Sequence, residues 1–122
     1  MVQAGFTTFS VKRTGKKAPF LELLESALET EEVRTRSVRI LEPLTRYDQV
    51  HGGDLVHTLQ CYFEFGGNAS RTAEALFLHR NGLLYRLNRV EELLGVSLSD
   101  RDVAVALELS VRAVRPRHDV QH

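Results

Sequence analysis

Between Arg80 and Val90 the chain places three arginines, two asparagines and a tyrosine, and no acidic residue. A guanidinium is always charged and presents a planar fork of donors, which fits a phosphate or the O6/N7 edge of guanine. Asparagine can pair in the same two-pronged way with adenine, and a phenol can donate to a phosphate oxygen. The chemistry open to this stretch is therefore recognition of anions and base edges. Nothing elsewhere competes with it. One cysteine (Cys61) and scattered histidines (His51, His57, His79, His118, His122) give no zinc-ligand spacing. No phosphate-cradling glycine loop, nucleophile motif or paired carboxylates appear. His79 reads as structural rather than catalytic, and the expectation is a non-enzyme without metal or cofactor.

Leu83, Leu87, Val90 and Leu94 recur at i, i+4, i+7 and i+11, so one helix can turn all four the same way. Asn81, Gly82, Tyr85, Asn88 and Arg89 then point oppositely, with Arg80 and Arg86 beside the seam. Upstream, Asn68 is a natural N-cap for a short helix over roughly Ala69–Phe77, and Ala73 is small enough for a close helix approach. A break follows at Phe77–His79, and Gly95 closes the second helix. A short bracing helix ahead of a longer one with a polar, basic outer face is the geometry of a helix-turn-helix. Spacing and charge alone leave a second reading open, an amphipathic pair in an ordinary helical bundle.

The remaining chain supplies further helices. Pro19 suits a first helical turn, and Phe20, Leu23, Leu24, Ala27 and Leu28 follow at helical spacing. A second helix is expected from about Glu31 to Glu42, stopped or kinked by Pro43, with residues 44–53 as a connector ending in Gly52-Gly53. Asp54 is the expected cap of a helix carrying Leu55, Leu59, Tyr62 and Phe63. Ser99 and Asp102 have the form of a capping box ahead of Val103, Leu107, Val111 and Val114. Phe6–Val11 could form a short strand. The expected organisation is an N-terminal arm or remnant (1–18), an all-α bundle (19–115) with the helix-turn-helix at 68–95, and a flexible tail (116–122).

The 122 residues and 43% apolar content permit a real core. With 16 basic and 16 acidic residues the net charge is zero, which argues against indiscriminate polyanion binding. A local basic face remains compatible with it. No apolar run is long enough to span a membrane, and no signal peptide or disulfide pair is apparent, so a cytoplasmic protein is expected.

Residues 55–95, LVHTLQCYFEFGGNASRTAEALFLHRNGLLYRLNRVEELLG, preceded by LEPLTRYD at 41–48, resemble the C-terminal helix-turn-helix domain of the PucR/CdaR family of bacterial transcriptional regulators. The pieces that carry the likeness are Thr58-Leu59 with Tyr62, Gly66-Gly67-Asn68, Thr72-Ala73 with Leu76, His79-Arg80-Asn81 with Leu83, Tyr85-Arg86-Leu87, and Gly95. The arrangement is also similar to the DNA-binding end of Fis. The resemblance implies a regulator that reads duplex DNA as a homodimer, with its effector bound by a domain outside this chain. It implies that the first turn of the helix from Arg80 reads bases: Arg80 would meet a guanine edge or clamp a phosphate, and Asn81 would read adenine, bind phosphate or only help open the helix. Arg71 and Thr72 would grip phosphate at the start of the bracing helix, and Arg86 and Arg89 would grip it further along. Tyr85 would either bond a phosphate or pack over the connector after Asp48; Arg86 could instead pair with an acid of the preceding helix. Two positions depart from the family pattern: Gly82 stands where threonine is usual, and Leu84 where arginine is frequent. They motivate the alternative of an interaction or dimerisation module that has lost DNA contact.

Overall fold

A computed structural model describes residues 15–115. A 3₁₀ turn, Gly15–Lys17, leads into α1 (Ala18–Leu28), α2 (Glu31–His51), α3 (Leu55–Glu64), α4 (Ala69–Ala75), α5 (Arg80–Leu94) and α6 (Arg101–Ala113). The described residues contain no strand, as an all-α bundle requires. The strand expected at Phe6–Val11 and the tail from residue 116 lie outside them.

The core is built where α2, α3, α5 and α6 meet. Leu44, Leu59, Leu83 and Val90 are wholly buried, and Leu41, Leu55, Ala73, Leu87, Leu107 and Val111 nearly so. Pro19 occupies the first turn of α1, but no residue of α1 is buried, and Phe20 and Leu23 stay largely exposed.

α2 overturns one expectation. Pro43 does not end it; the helix runs on to His51, and residues 44–51 are helical rather than a connector. Proline inside a helix removes a hydrogen bond and crowds the preceding turn, at a cost of about 3 kcal/mol. Packing outweighs that cost, because Ser37, Leu41 and Leu44 lie on one buried stripe that crosses the proline. Full burial of a leucine contributes about 1.5–3 kcal/mol, and the two leucines flank Pro43. Thr45 also donates to the Leu41 carbonyl at 3.2 Å.

The far end of α2 positions α3. Gly52 closes α2 in the left-handed conformation (φ 63). Gly53 lies so close that a Cβ there would sit 3.1 Å from Asp48 Oδ1 and 3.3 Å from the Tyr47 ring. This tight corner brings the Asp48 carboxylate onto the N-terminus of α3, where it accepts from the backbone N–H of Leu55 (2.8 Å) and Val56 (3.2 Å). Asp54, expected to cap α3 with its side chain, contributes only its carbonyl, which accepts from Thr58 N and Thr58 Oγ1. The cap thus comes from a carboxylate six residues earlier, brought in by the extension of α2.

Both ends of α6 are secured as well. Asp100, not the expected Ser99, caps α6 by accepting from Val103 N at 3.2 Å, while Ser99 Oγ pairs with Ser97 Oγ. Arg34 of α2 donates to the Ala113 carbonyl at the other end of α6 (3.1 Å).

Because Asp48 holds two otherwise free donors of α3, Asp48→Ala is expected to lower stability by about 1–2 kcal/mol in urea unfolding. Asp48→Asn should recover part of that loss, since an amide oxygen can still accept.

Candidate nucleic-acid interface

The turn between α4 and α5 sets the angle of the exposed face. Asn68 Oδ1 accepts from Arg71 N (2.9 Å), the cap expected for α4. The helix ends at Ala75, two residues before the expected boundary, and Leu78 N donates to the Ala73 carbonyl at 2.9 Å to close the turn. Phe77 carries the corner with φ 58 and is 95% exposed. A bulky residue rarely adopts that conformation. His79 then takes an extended backbone and α5 begins, with no side-chain cap on its first turn.

α5 is oriented as its spacing requires. Leu83, Leu87 and Val90 are buried. On the opposite side Arg80, Asn81, Tyr85 and Asn88 are exposed, while Gly82, Arg86 and Arg89 are half-buried. The outer face of α5 is thus open to solvent. Leu84 packs against the edge of the core.

The expected contact residues separate into two groups. Arg71 is exposed and lies over the Phe65 ring, 5.4 Å from its centroid; with Arg80, Asn81 and Tyr85 it is presented outward. Thr72 is placed otherwise: its side chain is wholly buried and its hydroxyl donates to the Asn68 carbonyl at 2.8 Å. It fastens the first turn of α4 and is not offered to solvent. Arg86 neither faces solvent freely nor meets an acid of the preceding helix; its Nη1 donates to Thr58 Oγ1 of α3 at 3.1 Å. Arg89 donates from Nη2 to the Tyr85 hydroxyl oxygen at 2.7 Å, pairs through Nη1 with Glu92 at 3.2 Å, and lies 5.5 Å from the Tyr85 centroid and 5.8 Å from that of Tyr47. The hydrogen bond to Tyr85, more than any other influence, raises the Arg89 guanidinium further above its ordinary range.

Tyr47, Asp48 and Thr58 position this face, and none was singled out as a site residue from spacing. Tyr47 and Asp48 fall in the LEPLTRYD stretch, and Thr58 in the TL pair, so the signal lay in the motif rather than in helical periodicity. Cys61 sits 3.7 Å from His57 Nε2, but desolvation, then Glu64 and Asp54, push its thiol above the ordinary value, so it is not an activated nucleophile. Among the described residues no group of three potential ligands could hold a metal, and no helix is long and apolar enough to cross a membrane.

Residues 55–113, which run from the start of α3 to the end of α6, match the PucR C-terminal helix-turn-helix domain. The helix-turn-helix of this chain is of the PucR C-terminal type. The PucR-type domain is a sequence-specific DNA-binding module of a family of transcriptional regulators, not a catalytic one. Three relatives align with the chain. The chain is 46% identical over 61 residues to the purine catabolism regulatory protein of Bacillus subtilis, covering 50% of this chain and 12% of that protein. It is 40% identical over 77 residues to an uncharacterised protein of Thermomonospora curvata (63% and 42% covered). It is 36% identical over 74 residues to the carbohydrate diacid regulator of Escherichia coli (60% and 19% covered). The match thus spans less than half the length of each. No solved structure matches it.

Gly82 lies in the first turns of α5, and a Cβ added there meets nothing within 4 Å. Gly82→Ala is therefore expected to stabilise the free protein by about 0.5–1 kcal/mol, read as a rise in thermal midpoint.

Proposed function

We propose that this chain reads an operator through the first turn of α5, with Arg80 and Asn81 at base edges in the major groove. Arg71 and Tyr85 meet the flanking phosphates, while Arg86 and Arg89 add positive charge to the face that their contacts brace. Thr72 serves the site from inside the turn, through the Asn68 carbonyl. The observation that carries this reading is the outward face of α5, which is free of acids from Arg80 to Val90 and presents Arg80, Asn81, Tyr85 and Asn88 to solvent.

One such helix covers only a few base pairs, so the working form is a homodimer on a two-fold site. The effector is bound by a domain outside this chain, as the greater length of the relatives supports. Two relatives are regulators of purine catabolism and of carbohydrate diacids, and the genes controlled by this chain are likewise ones that handle a small metabolite.

Three measurements test this. Binding to a labelled duplex should weaken steeply with salt, with a log–log slope of several released counterions. On an operator selected from a randomised pool, Arg80→Ala should cost about 1–3 kcal/mol and relax the base preference at one position. Sedimentation of the bound complex should give two chains per operator. A folded chain that binds no duplex at low salt would overturn the reading in favour of an interaction module, the alternative that Gly82 and Leu84 motivate.

A further inference from the structure

We infer that Arg89 is a positioning residue, which turns the Tyr85 hydroxyl outward as a polarised hydrogen-bond donor for a phosphate oxygen. The inference rests on the DNA-reading role of α5.

Both terminal nitrogens of Arg89 are engaged. Nη2 is on the Tyr85 oxygen and Nη1 on Glu92, and Nε is buried without an acceptor. The rings of Tyr47 and Tyr85 both lie within cation–π range of the guanidinium. A phosphate reaching for Arg89 itself would compete with Glu92 and Tyr85 for its terminal nitrogens. A buried donor left unmatched costs free energy, so the arrangement is not one that stability alone would favour.

The Tyr85 oxygen is in the opposite condition. Arginine has donors and no acceptor, so the hydrogen bond between them can only run from Arg89 to the phenol oxygen. The phenolic hydrogen is thereby directed elsewhere, on a residue that is 59% exposed. A phenol that accepts from a cation becomes a better donor, since successive hydrogen bonds polarise one another. Its best acceptor is an anionic oxygen. Tyr47 completes the device from the far end of α2. With Gly53, Gly82, Tyr85, Arg86 and Arg89 it lines a cleft of about 350 Å³ beside α5. The position of the phenol is thus tied to a helix outside the helix-turn-helix itself.

The test is a double-mutant cycle on a short labelled duplex of mixed sequence, because a phosphate contact does not depend on base identity. Tyr85→Phe should weaken binding about fivefold to tenfold, the net scale of one hydrogen bond, with the salt slope unchanged because a neutral donor displaces no counterion. Arg89→Lys keeps the charge but loses the planar fork. It should cost a similar factor in the native background and less than about twofold beside Tyr85→Phe, the signature of coupled residues. Tyr47→Leu should show the same dependence on Tyr85, whereas Tyr47→Phe, which keeps the ring wall, should bind as the native chain does. Thermal melts of each variant separate these effects from loss of fold. Equal losses for Arg89→Lys in both backgrounds would make Arg89 a direct contact and overturn the inference while leaving the DNA-reading role intact. A native chain that binds no duplex would overturn both.

Discussion

The burial of Leu83, Leu87 and Val90 is the constraint on which the interface depends. Each contributes on the order of 1.5–3 kcal/mol when removed from water. Rotating α5 by one residue, about 100°, would bring them toward solvent and drive polar side chains into the core, where unpaired donors are costly. The outward side of the helix is therefore fixed by what the inward side must hide. Finer adjustments follow from polar contacts at its edges: Thr58 on Arg86, and Tyr47 on Arg89.

Net neutrality and a local basic face are reconciled by where the acids sit. Arg36, Arg46 and Arg112 each meet a glutamate four residues earlier on their own helices. Such exposed pairs add little stability, but they cancel charge where no anion is to be met. Among the described residues no ion pair holds Arg71 or Arg80. The first acids of α5 appear only at Glu91 and Glu92, past the outward arginines, and Glu91 is occupied in accepting from Leu98 N at 2.7 Å.

The helix-turn-helix was legible because its signals are local: a cap at Asn68, a break near Phe77, and a four-residue apolar stripe. What escaped was set by residues distant in sequence or by competition between local terms. Pro43 reads as a stop by propensity, yet Leu41 and Leu44 on either side of it belong to one buried face. Asp54 reads as a cap by position, but Asp48 reaches the same donors across a two-glycine corner. Thr72 looks available because threonine is polar. Its hydroxyl is instead taken by a carbonyl four residues back, a bond no hydropathy pattern reveals. The bond from Arg86 to Thr58 and the approach of Arg89 to the Tyr47 ring lie across helix packing and were equally hidden.

The proline within α2 has a consequence for how the molecule assembles. A peptide of residues 31–51 on its own carries the full penalty of the missing bond, with no bundle to offset it, so this segment cannot act as a preformed rod. Helix and core must consolidate together. The half beyond Pro43 bears both Tyr47 and Asp48, which govern Arg89 and the entry to α3. The outer face of α5 is thus wired into a segment whose helix and core form together, and a partly opened bundle would surrender the geometry of that face before losing its helices.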